Sequence, residues 1–215
     1  AYNYGANPYA LVFGGIQHNE VLGDTYEIRY TFNQAFAPQT VTWELIDTED
    51  LVIPEPRYAH SLVYDEARDV FVLFGGFNAD HEPLNDLWEY SVGGHVWTEV
   101  TVFQDEQRPM PRGGASMVYF GGTQFRNDGV WNSHNKIVLF GGTDGDVHFN
   151  DTWVFDPNHV SDIGLLPSPG PRWRLASPNG EYSGGPSPRA FSSLVYGHNA
   201  ELNPFDGYIF ENPVN

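Results

Sequence analysis

The feature that most constrains this chain is a set of short apolar segments that return in register along its 215 residues. Pro56-Arg57, Pro111-Arg112 and Pro188-Arg189 each open such a segment, and a Tyr follows seven residues after each Arg (Tyr64, Tyr119, Tyr196). Leu11-Val12-Phe13-Gly14-Gly15, Val72-Leu73-Phe74-Gly75-Gly76 and Val138-Leu139-Phe140-Gly141-Gly142 form a second column. Asp24, Asp86 and Asp151 follow the second glycine by nine, ten and nine residues, and an aromatic stands two residues beyond each (Tyr26, Trp88, Trp153). Trp43, Trp97 and Trp173 mark a fourth column. Self-similarity of this kind is the signature of a repeat architecture.

Each copy reads as antiparallel β structure. In the clearest one, Tyr58–Tyr64 is followed by the charged turn Asp65–Asp69, then Val70–Phe74, a polar loop, the strand from Asn85 to Tyr90, and Val96-Trp97. Short apolar runs between turn signals are strands, and a continuous run such as Val70–Phe74 suits a strand buried on both faces. The second glycine of each pair is expected to end its strand at a sharp turn, where only Gly reaches positive φ without steric cost. The Trp and Tyr columns supply large faces to fill the space between twisted sheets. No long helical period survives the Gly and Pro punctuation, and no apolar run is long enough for a membrane span. The first residues, AYNYGANPYA, do not read as a signal peptide.

The diglycine after an apolar run, the Asn-Asp-x-Trp-x-aromatic strand and the later Trp together resemble the kelch repeat, the unit of one family of β-propellers. Tyr90 to Trp97 has the family's usual gap, which is stretched from Ile28 to Trp43 and from Phe155 to Trp173. Gly121-Gly122 falls outside the columns, since it follows an inner strand and starts an inserted loop. The resemblance implies an all-β fold: a kelch-type propeller segment of four-stranded antiparallel blades, incomplete as a single chain. One kelch-repeat region spans 1–215, with a partial blade 1 (1–55), blade 2 (56–110), blade 3 with insertions (111–187) and a partial blade 4 (188–215). Blade 1 has no Pro-Arg inner strand before it. The fourth unit offers an inner strand from Pro188 to Tyr196 and a second strand from Gly207 to Phe210. Propellers close with about four to eight blades, so an open fan would leave sheet faces and a strand edge bare. The expectation is therefore a unit completed by a partner: its own copy or another chain. With residues 189–196 completing blade 1, two copies would make six blades; the chain as a segment of a longer propeller is the other route.

Composition narrows the function classes. There are 28 acidic and 10 basic residues, a formal charge of −18, with Lys136 the only lysine. Nucleic-acid binding, which needs Lys and Arg against phosphate, is disfavoured; solubility, cation attraction or a saline or extracellular setting fits better. Cysteine is absent, which removes disulfides, thiolate metal sites, a Cys nucleophile, and the Cys–Tyr cofactor of kelch-type copper oxidases resembling galactose oxidase. The compartment stays open, with a lean towards the extracellular space or cell surface.

Candidate binding residues lie on the face shared by the loops between strands two and three and by the links between blades, where the resemblance implies that kelch proteins commonly bind ligands. The loops hold His18 and Glu20; Asp80, His81 and Glu82; and Asp144, Asp146 and His148. Carboxylates suit hard cations and imidazoles suit transition metals, though no spacing matches a known ligand code and solvated turn chemistry accounts for the same residues. Arg57, Arg112 and Arg189 begin inner strands and are expected to ring the mouth of the central channel. They read either as a positive ring for a carboxylate or phosphate ligand or as braces paired with acids or carbonyls between adjacent blades. Asp24, Asp86 and Asp151 read as turn residues bonding loop amides. Asn150-Asp151-Thr152 fits a glycosylation sequon but begins a strand.

No serine elbow, zinc-binding histidine pair or phosphate-cradling loop appears, so no catalytic residue, metal ligand set or cofactor is assigned beyond the option of a divalent cation. The functional expectation is a non-enzymatic protein-interaction or assembly module presenting loops from a stiff scaffold. Its alternatives are carbohydrate or cation binding, with Phe77, Trp131 or Phe149 stacking on sugars, and an enzyme related to propeller isomerases or lyases.

Overall fold

The computed structural model describes residues 9–31, 40–48, 51–101, 107–121, 123–125, 131–133, 135–157, 172–178 and 185–196. The expected second strand 207–210 and nearly all of the insertion 156–171 lie outside them. All regular structure among the described residues is β. Blade 1 is a three-stranded sheet, β1 (Tyr9–Gln17), β2 (Glu20–Thr31) and β3 (Thr40–Leu45). Blade 2 has four strands, β4 (Ser61–Asp65), β5 (Val70–Phe77), β6 (Pro83–Ser91) and β7 (Val96–Glu99), each antiparallel to the next. Blade 3 has β8 (Ser116–Phe120), the hairpin β9 (Thr123–Phe125) and β10 (Trp131–Ser133), then β11 (Lys136–Phe140), β12 (Thr152–Asp156) and β13 (Arg172–Ser177). Its sheet order is β13-β12-β11-β8, with β9-β10 a separate ribbon. No helix of the described residues is long and apolar enough to cross a membrane.

The core lies between sheets, as the strand period dictates. Along β5, Phe71 and Leu73 point to one side and join Leu11, Phe13, Tyr90 and Trp97; Val72 and Phe74 point to the other and join Ile137, Leu139, Phe155 and Trp173. Blade 2 is thus buried on both faces, and the run Val70–Phe74 reads as the sequence implied. The fourth-strand Trp of blades 2 and 3 packs backward. Trp97 meets Phe13 of blade 1 edge-on, with centroids 5.0 Å apart, and Trp173 meets Phe74 of blade 2 at 5.2 Å. Among the described residues the three sheets form an open fan.

Four local expectations are corrected. The strand expected over Tyr58–Tyr64 begins only at Ser61, because Arg57 bonds to blade 1 and Tyr58 makes an isolated bridge to Phe77 at the end of β5, ahead of the continuous ladder that starts at Ser61–Phe74. Residues 188–196 form no strand, since no described strand pairs with them. The diglycines do not end β1 and β5: both strands run on through a bulge, between Phe13 and Gly15 and between Phe74 and Gly76. In blade 1 the expected loop 16–23 is a tight hairpin turning at His18-Asn19, both at positive φ.

Candidate functional site

The close approach of the next link explains the glycines. Gly14, Gly75 and Gly141 have φ of +55°, +63° and +67°, and a Cβ there would sit 2.6, 2.5 and 2.6 Å from the carbonyl oxygens of Arg57, Arg112 and Arg189. The next glycine in each pair donates its N–H to that same carbonyl, at 2.9 Å in all three copies. Only residues without a side chain let the incoming link lie this close to the preceding blade. The arginine N–H in turn donates to Leu22, Leu84 or Phe149 of that blade, at 3.1, 2.8 and 2.9 Å.

The side chain then goes the other way. Arg57 Nη1 and Nη2 donate to Asp86 Oδ1 and Oδ2 at 2.6 and 2.7 Å, and Nη1 also donates to Gly75 O. Arg112 repeats this with Asp151, at 2.6 and 3.0 Å, and with Gly141 O. Nε of each donates two residues back, to Glu55 O and Met110 O. Each carboxylate also accepts from a Trp indole at i+2, Trp88 or Trp153, at 2.7 Å. One arginine therefore holds two blades: backbone on the earlier, guanidinium on the later. Burial raises the Asp86 pKa, but the Arg57 and Trp88 bonds outweigh it and hold the carboxyl below the usual range.

Arg57 and Arg112 are 0% and 1% exposed and fully engaged, so of the three expected arginines only Arg189 presents its guanidinium to solvent. Asp86 and Asp151 bond arginine and indole, rather than the turn amides expected of them. The Phe149 ring lies under the Arg112 guanidinium, 4.1 Å from its centroid, and Phe77 packs against Tyr58 and Gly113. At 4% and 6% exposed, neither phenyl is open to stack on a sugar; the Trp131 side chain lies outside the described residues.

The loops on this face are shaped from within. Asn78 Oδ1 accepts from the N–H groups of Asp80 and Glu82, and Asp144 Oδ1 from those of Asp146 and Val147. The bond to Val147, despite opposing desolvation, lowers the Asp144 pKa. His81 bonds the Tyr58 hydroxyl through Nδ1 at 2.8 Å, and Glu82 accepts from Asn78 Nδ2. Asp80, His81, Glu82, Asp146 and His148 are exposed, as are His18 and Glu20 at the blade 1 hairpin. Among the described residues no group of three or more His, Asp or Glu side chains is placed to hold a metal ion. Beneath the loops, the His60 ring lies edge-on to Phe13, with Nδ1 buried and unbonded. Burial, then the nearby Arg57 charge, push its pKa down to about 4. Sequence reasoning missed this histidine and the buried Glu27, which accepts from Tyr90 at 2.8 Å and meets His95 at 2.9 Å across the blade 1–blade 2 junction. A carboxylate at an inward position of a strand was the available sign of Glu27.

Residues 4–202 match the family model described as the KLHDC2/KLHL20/DRC7 Kelch-repeats domain. The chain is 30% identical over 168 residues to an F-box/kelch-repeat protein of Arabidopsis thaliana, covering 73% of this chain and 30% of that protein. It is 25% identical to Kelch repeat-containing protein 2 of Saccharomyces cerevisiae, covering 80% of this chain and 17% of that one. Dynein regulatory complex subunit 7 of Chlamydomonas reinhardtii is 30% identical over 89 residues, which cover 41% of this chain and 6% of that protein. The chain thus spans less than a third of the length of these relatives. With its repeat columns, bulged diglycines and blades in sequence, the chain belongs to the kelch-repeat family.

Proposed function

We propose that the chain is a non-enzymatic protein-interaction module whose binding surface is the acidic loop face, and that it works as part of a propeller completed from outside the described residues. The observation that carries the reading is the division of labour on that face. Arg57 and Arg112 are consumed in holding blades together, while Asp80, Glu82 and Asp146 stand exposed on turns whose backbones are already bonded. Loops set on a rigid frame are the usual carriers of recognition, and preformed loops lose little entropy on binding. With −18 net charge behind them, these carboxylates suit a partner with a basic surface, which the field also steers to the site.

Calorimetric titration of an Arg/Lys-rich peptide, a Glu/Asp-rich peptide and Ca²⁺ into the chain tests this. The basic peptide is expected to bind, and a combined Asp80→Asn, Glu82→Gln, Asp146→Asn variant to weaken it by at least tenfold. Binding of the acidic peptide alone, abolished by Arg189→Ala, would overturn the reading in favour of the channel arginine.

A further inference from the structure

Repetition separates what every blade needs from what one blade adds. The residue after each inter-blade arginine does the same backbone work in blades 2 and 3. Tyr58 donates its N–H to Phe77 O at 3.0 Å, and its carbonyl accepts the Phe77 N–H at 2.9 Å. Gly113 exchanges the same two bonds with Thr143, at 2.9 Å each. Ala190 stands in this column after Arg189. The frame needs no large side chain at the position, since a glycine makes the contact equally well. In blade 2 a tyrosine fills it.

That side chain is built into a corner. The Tyr58 ring lies along Phe77, with centroids 5.5 Å apart and planes 31° off parallel. Phe77 is wedged in turn, because its Cε2 lies 2.3 Å from where a Cβ on Gly113 would stand. His81 meets the Tyr58 ring at 83°, with centroids 5.9 Å apart, and its Nδ1 bonds the phenol oxygen at 2.8 Å. The turn that carries His81 is fixed by Asn78, whose Oδ1 accepts from the N–H groups of Asp80 and Glu82. Phe77 is buried, Tyr58 is half-buried and His81 is exposed. The result is a backed aromatic ring with a second ring standing at a right angle to it, reachable from solvent. The exposed carboxylates Asp80 and Glu82 flank His81 in the chain. Arg57 and Arg112, next in sequence to Tyr58 and Gly113, are paired with Asp86 and Asp151 and add no unpaired positive charge.

We propose that the Tyr58–His81 corner seats one arginine side chain of the basic partner. The guanidinium stacks on the Tyr58 ring, whose π face attracts a cation, and its fork takes a carboxylate of the same turn, Asp80 or Glu82. Arginine suits the corner better than lysine, because a planar, weakly hydrated cation can stack and still hold a carboxylate with two N–H groups. The rings and the turn are fixed before the partner arrives, so little side-chain freedom is lost on binding. This rests on the reading of the loop face as a site for a basic surface, and adds which cation that surface presents.

Calorimetric titration of two short Gly/Ser-spaced peptides into the full chain tests it, one with arginines and the other with lysines at the same positions. The arginine peptide is expected to bind roughly fivefold tighter. Tyr58→Leu levels the two, by weakening the arginine peptide and leaving the lysine peptide unchanged. Tyr58→Phe, which keeps the ring against Phe77, keeps the preference. Equal affinities in the parent chain, or a preference that survives Tyr58→Leu, overturn the arginine seat and leave the basic partner standing. A Tyr58→Phe chain that loses the preference overturns stacking as its cause. Binding of neither peptide to the parent chain ends both readings.

Discussion

The Arg112 guanidinium grips both carboxylate oxygens of Asp151 in blade 3 while its own carbonyl accepts the N–H of Gly76 in blade 2. Arg57 repeats the arrangement between blades 1 and 2. A planar fork is what the geometry uses, and an ammonium cannot reproduce it. Arg57→Lys is therefore expected to destabilise by about 1.5–3 kcal/mol, the worth of hydrogen bonds to a charged group, measured by urea unfolding.

Gly75→Ala places a methyl 2.5 Å from the Arg112 carbonyl at φ +63°, whereas an added Cβ at Gly93 meets nothing within 4 Å. The first change forces blades 2 and 3 apart and adds about 1–3 kcal/mol of backbone strain. Gly93→Ala is expected to stay within about 0.5 kcal/mol of the parent. Thermal melts of the two variants side by side give the comparison.

His60 ties stability to pH. Its folded pKa is lowered to about 4 from 6.5 by burial and by Arg57, so below 6.5 the unfolded chain binds the proton first. Stability is full above pH 6.5 and falls as pH drops towards 4, on the order of 3 kcal/mol in all. His60→Leu should remove that part of the slope in denaturant midpoints taken from pH 7 to 4.5. Asp86 adds a separate acid limb: its depressed pKa makes its stabilisation full above the ordinary carboxylate pKa and lost as pH falls through the lower folded value.

Trp97 joins two blades by ring and by hydrogen bond. Trp97→Phe keeps most of the ring contact but gives up the bond to Thr25, an expected cost of about 1 kcal/mol. Trp97→Ala empties the junction and should cost about 3–5 kcal/mol. Calorimetric melting of both variants checks the ratio.

The blades were legible because their signals are local: apolar runs, turn residues and the fixed offsets between Gly, Asp and Trp columns. The Arg–Asp clasp was legible only as one of two options, since Arg57 and Asp86 stand 29 residues apart and spacing alone does not show that they face each other. The diglycine role was half read. Positive φ followed from the residue type, but the close approach of the Arg carbonyl depends on the neighbouring blade. Phe77 and Phe149 looked available because they lie in loops, yet Phe77 fills the gap beside Gly113 and Phe149 the space under Arg112. His60 gave no sign at all, as its pKa is set by packing that only the assembled fan supplies.

A double-mutant cycle on Arg112 and Asp151 tests the clasp most directly. Each single replacement, Arg112→Met or Asp151→Leu, leaves a buried charge without its partner and is expected to cost about 3–5 kcal/mol, while the pair together costs far less than the sum. A coupling energy of about 2 kcal/mol or more in urea unfolding is the predicted result. Additive losses, with coupling near zero, would contradict the claim that this ion pair fastens one blade to the next.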